Sequence, residues 1–270
     1  KGYPTLAVAY SGGVDSTFLL AAAQEALGAR VTAVTVDSPI HSRREIREAC
    51  DLAEALGVRH VTIPLDGLAT PGFAANPPER CYICKQLIFA EIIRAVASRG
   101  IQRVAHGANL DDLEDYRPGL KAAEELGIVS PLAAAGLTKA DIRALSRKMK
   151  LPTWNKPAMA CLASRIPYGR PITRENLRMV EMAEESLLEL GFIGSRVRHH
   201  GSVARIEVAS GDLKKTLQKA LRAEIVRRLR RIGYRHVAVD LEGYVQGSLN
   251  RAVPGQAGKG ARPRGGASET

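Results

Sequence analysis

An α/β fold is what this chain predicts: a parallel sheet with helices on both faces, followed by a smaller α+β domain. Three observations carry that expectation. Over the first 150 residues, short β-branched apolar runs alternate with helix-length amphipathic segments. A Gly12-Gly13 pair stands directly between the first apolar run and the first helical segment. After Pro157 the alternation gives way to a Pro- and Gly-punctuated stretch, then one helix, two strands, a basic helix and a strand. The boundary falls at 157/158, with the second domain at 158–245 and a tail at 246–270 that is expected to be disordered.

The elements follow in order. LAVAY (6–10) reads as a buried strand and 16–27 as a helix closed by Gly28. VTAVTVD (31–37) is a strand by β-branching, and RREIREACDLAEALG (43–57) has helical apolar spacing. RHVTIPL (59–65) is a third strand, 66–80 a loop, 82–99 a helix and RVAHGAN (103–109) a fourth strand. A short helix near 118–126 and the segment IVSPL (128–132) precede a helix at 138–149, where Thr138 and Asp141 have capping-box spacing. MACLASRIPYGRPIT (159–173) is an ordered loop. A helix at 174–190, strands SRVRHH and VARIEV, a helix at about 212–232 and strand HVAVDLE (236–242) complete the second domain.

The 270 residues are 45% hydrophobic, which fits a globular chain, and their net charge of +11 reads either as a solvated basic surface or as the mark of an anionic partner, nucleotide or RNA. No apolar run reaches the ~18–20 residues of a membrane span, and no leader pattern opens the chain. A cytoplasmic protein is expected. Four cysteines are too few for a disulfide scaffold of this length, so their spacing matters more than their number.

SGGVDST (11–17) lacks the Gly-Lys-Ser/Thr ending of a Walker loop and the spacing of a dinucleotide fingerprint. Its glycines permit a tight strand-to-helix turn whose N–H groups accept an anion. Ser11, Asp37 and Gly107 each stand at the carboxyl end of an expected strand, where such sheets bind ligands. Cys81 and Cys84 form a C-x-x-C pair, and Cys161 stands alone in ACLASR. Three cysteines suit a [4Fe–4S] cluster with one iron open, a zinc site completed by histidine, a redox dithiol, or two buried thiols beside a reactive one. Cys50, spaced with Ala49, Ala53 and Leu56, reads as core.

The loop resembles that of the PP-loop ATP pyrophosphatase superfamily, whose members cleave ATP between the α and β phosphates. The resemblance implies that Ser11, Gly12, Gly13, Ser16 and Thr17 cradle phosphate, that Asp15 places Mg²⁺ or the loop, and that Asp37 and Gly107 line the ATP pocket. Together with NPPERCYICK, HGANLDDLEDYRPGL, the stretch from PLAAAGLTKADIR to ACLASRIPYG, and SRVRHHGSVARIEV, it is similar to the LarE family across about 5–243. Those enzymes adenylylate a carboxylate of pyridinium-3,5-biscarboxylic acid mononucleotide and convert it to a thiocarboxylate for a nickel-pincer cofactor.

One branch of that family sacrifices a cysteine sulfur, and the other holds a [4Fe–4S] cluster on three cysteines. Cys161 matches the shared cysteine, and Cys81 and Cys84 match the cluster branch. Ser164, Arg165, Arg196 and Arg198 are implied to hold the substrate phosphate, the last two because alternate residues of a strand share a face. Asp112, Asp115 and Arg117 read either as nucleotide contacts or as a helix cap. Glu185 and Glu207 are expected in solvent by default, His199 and His200 at the surface beside Arg198, and Trp154 in packing. A sulfur donor and a homo-oligomer, such as a hexamer built from trimers, are further implications. Two other enzyme classes share the loop. A tRNA-thiolating enzyme is disfavoured by 4% aromatics and the lack of a separate RNA-binding domain. An NAD-synthetase-like amide ligase needs no cysteines, and a non-catalytic ATP sensor would need no sulfur chemistry.

Overall fold

Both faces of the first strands are apolar, so the sheet they form must be covered twice. The structure, a computed structural model, describes residues 3–113, 118–245, 247, 248 and 251. Asp115, Arg117 and most of the 246–270 tail lie outside them. The chain divides into two compact units, Lys1–Cys161 and Leu162–Thr270, so Cys161 stays with the first unit, four residues past the expected boundary.

In the first unit, β1 (Leu6–Ala9), α1 (Val14–Leu27), β2 (Val31–Asp37), α2 (Arg43–Ala55) and β3 (Arg59–Pro64) follow in order. Then come α3 (Pro71–Ala74), α4 (Arg80–Ala97), β4 (Val104–Ala105), α5 (Leu110–Leu113), α6 (Pro118–Glu125), α7 (Pro131–Ala134) and α8 (Lys139–Lys148). The strands lie in the order β3-β2-β1-β4, all parallel, with Leu6 opposite Val31 and Ala7 opposite Val104. Leu6, Val8, Val31 and Ala33 face α1, α2 and α8 through Leu20, Ala49 and Ile142. Ala7, Val34 and Val36 face α4 and α6 through Phe89, Ile92 and Ala123. The strand order reverses between β1 and β4, and there the carboxyl ends open a crevice. The phosphate-type loop and Gly107 both sit at that point.

Several elements differ from expectation. The 66–80 stretch is partly helical: Pro71 opens α3, and Phe73 is buried beneath it. The next helix begins at Arg80 rather than 82, with buried Asn76 accepting from Arg80 Nη1 at 2.5 Å. Cys81 and Cys84 are therefore helical and one turn apart. The fourth strand is two residues long, because the chain leaves the ladder where Gly107 meets α1, although Val129 still bridges Ala105.

The second unit holds α9 (Arg174–Glu189), β5 (Arg196–His200), β6 (Val203–Glu207), α10 (Leu213–Thr216), α11 (Lys219–Ile232) and β7 (His236–Val239). The sheet order is β5-β6-β7, the first pair antiparallel and the second parallel. Val197, Ala204 and Ile206 pack on Ala183, Leu187, Ile225 and Leu229 of α9 and α11. The single helix expected at 212–232 is broken at Leu217–Gln218, where Thr216 Oγ1 donates back to the Leu213 carbonyl at 2.7 Å.

Candidate active site

Gly12 has φ +69°, and a Cβ placed on it would stand 2.9 Å from Ala49 Cβ. Both the backbone angle and the space demand glycine. Gly13 is extended and caps α1, whose first internal bond runs from Thr17 N–H to the Gly13 carbonyl at 2.9 Å. The N–H groups of Val14 and Asp15 precede that bond and have no carbonyl upstream within the helix. Ser11 and Ser16 hydroxyls lie 3.1 Å apart, and Ser16 Oγ also accepts from Ser11 N–H at 3.3 Å. Thr17 lies under the cup: it is fully buried, with its hydroxyl 3.5 Å from that of Tyr10. Gly107 approaches from the switch point, its would-be Cβ 2.9 Å from Ser16 N. Asp37, at the end of β2, is ion-paired with Arg43.

Two lysines that sequence reasoning passed over flank the cup. Lys139 Nζ is ion-paired with Asp15, whose other oxygen lies 3.5 Å from Asn109 Nδ2. Lys156 Nζ donates to the Gly12 carbonyl at 3.2 Å and to Glu48 Oε2 at 2.9 Å. The Thr138 capping box is formed and fixes the start of α8, presenting Lys139. Asp112 is a cap: its carboxylate accepts from Asn109 N–H at 3.1 Å, while Asn109 Oδ1 accepts from Asp112 N–H.

Cys81 is exposed, and Cys84, Cys161 and Cys50 are half-buried. Burial and then the Cys161 thiol push the Cys84 thiol up to about 12, and raise Cys81 in the same order. Cys161 therefore lies close enough to oppose ionisation of both. Among the described residues no three histidine, cysteine or acidic side chains stand assembled around a metal position. Cys50 is a correction, since its sulfur faces Thr62 Oγ1 at 4.0 Å rather than the core cluster. Lys85, one residue past Cys84, sits 5.1 Å over the Phe89 ring and, after burial, helps hold His106 down to about 4.

In the second unit the arginines are committed. Buried Arg165 makes a two-pronged pair with Glu184, both bonds 2.8 Å, and donates to Ser164 Oγ. Buried Arg198 donates to Glu207 at 2.6 Å and to the Ser164 carbonyl at 2.9 Å, while its Nε has no partner. Arg196 donates to the Gly194 and Ser195 carbonyls and lies 5.4 Å over the Tyr244 ring. Glu207 is 1% exposed, not solvated, because Arg198 and Arg205 both reach it. His199 is buried against the Tyr234 hydroxyl at 3.1 Å, whereas His200 is exposed. Glu185 is exposed; its neighbour Glu184 holds Arg165. Trp154 is 37% exposed beneath the Arg147 guanidinium.

Residues 2–79, which contain the cup and β1 to β3, match the NAD synthase family model. An uncharacterised Synechocystis protein, slr1717, is 40% identical over 91% of this chain and 92% of its own length. The pyridinium-3,5-bisthiocarboxylic acid mononucleotide synthase of Lactiplantibacillus plantarum is 37% identical over 93% of this chain and 90% of its own. The chain belongs to the LarE family. Its sheet and loop are those of an ATP-dependent PP-loop enzyme. A GMP synthase from Aeropyrum pernix is 29% identical over 75% of the chain but only 43% of that enzyme. Likeness to that enzyme is thus partial, while the mononucleotide synthase is matched over at least 90% of both chains. Among the described residues, no helix is long and apolar enough to cross a membrane.

Proposed function

We propose that this protein activates a carboxylate of pyridinium-3,5-biscarboxylic acid mononucleotide with ATP and converts it to a thiocarboxylate for a nickel-pincer cofactor, in the cytoplasm. One observation carries this reading. The segment from Lys156 at the Gly12 carbonyl passes Met159, whose sulfur is 3.8 Å from the missing Cβ of Gly13, and ends at Cys161 beside two further thiols. An anion cup and a sulfur site are thereby joined by five residues of chain.

The chemistry divides in two. A substrate carboxylate oxygen bonds to the α-phosphorus as the bond to pyrophosphate breaks. The α1 N–H groups, Lys139 and Lys156 stabilise the charge that develops on phosphate. Asp15 would hold Mg²⁺ together with the phosphates of ATP, where the ion would neutralise charge on the phosphoryl oxygens, and Lys139, paired with Asp15 here, stands ready for phosphate. A sulfur nucleophile then attacks the acyl carbon and AMP leaves. The substrate phosphate meets Arg196, whose carbonyl partners an anion displaces, with Ser164, Arg165 and Arg198 holding the surrounding geometry.

The three thiols are a soft donor set that fits a [4Fe–4S] cluster, held by Cys81, Cys84 and Cys161. A cluster held there would keep one iron without a protein ligand and would supply the sulfur-delivery chemistry. Burial and then the neighbouring Cys161 make Cys84 and Cys81 harder to ionise, and a positive centre would offset that cost. In the competing source, Cys161 gives up its own sulfur and becomes dehydroalanine.

The deciding experiment is anaerobic reconstitution with iron and sulfide, followed by ATP and the dicarboxylate. We expect repeated turnovers and an unchanged Cys161 mass. A single turnover with loss of H₂S from Cys161 would reverse the sulfur assignment. Pyrophosphate release stimulated by tRNA, or sustained by ammonia in Cys161→Ala, would replace the substrate assignment.

A further inference from the structure

We propose that Lys156 is a positioning residue that ties nucleotide occupancy of the cup to the placement of Cys161. Without nucleotide, its ammonium clips the Gly12 carbonyl to Glu48; with nucleotide, it moves to phosphate and frees the 156–161 segment from that clip. The proposal rests on the cup being the ATP site.

The clip spans three elements. Lys156 Nζ reaches Glu48 Oε2 on α2 at 2.9 Å and the Gly12 carbonyl at 3.2 Å, with the lysine side chain 22% exposed. Glu48 places a negative charge beside a site meant for a triphosphate, and Lys156 masks it. When the lysine leaves, Glu48 is not stranded, because it is 42% exposed and Arg44 already stands 3.7 Å away. Gly12 belongs to the cup, so an anion on the neighbouring N–H groups competes directly for the ammonium.

The chain around Lys156 is held so that its displacement is transmitted. Arg143 donates to the carbonyls of Trp154 at 2.7 Å and Lys156 at 2.8 Å, anchoring the upstream side to α8. Pro157 restricts the next peptide. Met159 rests against Gly13, and Cys161 follows two residues later. The ammonium is thus one of the ties that hold this segment on the cup, and its release changes the constraint on Met159 and, two residues on, Cys161.

The test uses the full chain with Mg²⁺ and α,β-methylene-ATP, which binds but is not cleaved between its first two phosphates. Calorimetry reads affinity, and hydrogen exchange reads the peptide covering 154–161. Wild type should bind the analogue and change its exchange across that peptide. Lys156→Gln should bind on the order of tenfold more weakly and, at saturation, show no change there. Glu48→Gln should bind a few-fold tighter, since the lysine is released from a competitor, and it decides the matter if Lys156→Gln fails to fold. Equal affinity in both variants, or an exchange response in saturated Lys156→Gln matching wild type, overturns the coupling while leaving the ATP site intact. If wild type itself does not bind the analogue, the ATP reading falls and this inference with it.

Discussion

Cys84 carries the largest consequence at the scale of one residue. Its thiol is held up to about 12, first by burial and then by Cys161, against an ordinary value near 9. Between pH 9 and 12 the unfolded chain gives up that proton while the folded, metal-free protein keeps it. The stabilisation is therefore full below pH 9 and is lost as pH rises toward 12. Urea titrations of the metal-free protein should show stability falling across this window, and Cys84→Ser should flatten the slope. Gly12 gives a second prediction. Gly12→Ala should lose about 1–2 kcal/mol from its left-handed φ alone, with the Ala49 overlap added. Pairing it with Ala49→Gly should recover little in thermal melts, because Ala49 Cα also stands 3.1 Å from the added Cβ and glycine weakens α2. Gly12 was legible in the sequence because glycine pairs between a strand and a helix have few other uses. Lys139 and Lys156 were not, because a lysine's role depends on which distant loop it folds against.

Among elements, the ones with strong periodicity or a capping signature matched the reading closely. The helix starting after Thr138 forms with its reciprocal box, and β2 spans the residues its β-branching marked. Thr138→Ala should cost about 1 kcal/mol. Because the same cap presents Lys139 to Asp15, the variant should also raise KM for ATP more than it lowers kcat, which steady-state pyrophosphate release would read. The misread elements failed for local reasons. Pro71 starts a one-turn helix in a stretch whose composition resembles a loop. Thr216 breaks a helix that its basic periodicity would continue. Asn76 lies in the left-handed region at φ 59° and helps start α4 two residues early, a conformation that composition does not display.

At the scale of the molecule, the net charge of +11 suggested an anionic partner, and internal ion pairs leave that excess untouched because each joins one cation to one anion. Arg165 and Arg198 are buried against Glu184 and Glu207, so they are struts of the second unit as well as candidate phosphate groups. The spacing of Arg196 and Arg198 revealed a shared strand face but not Glu207, which takes up Arg198 from the neighbouring strand. Glu207→Gln leaves Arg198 as an uncompensated buried cation and should destabilise the protein by about 3–5 kcal/mol. Chemical denaturation should register that loss even if ATP affinity is unaltered. The parallel sheet was readable from alternation alone. That Cys161 comes near enough to act on Cys84 needed the fold, since it lies 77 positions further along the chain.

Gly107 sets a boundary on how this protein can vary. Its backbone approaches the first turn of α1 so closely that any β-carbon would push Asp15 and Ser16 out of place. A selection from all twenty amino acids at that site should return one survivor. The constraint would look like ligand recognition in such a screen, although what it protects is the spacing between two pieces of main chain.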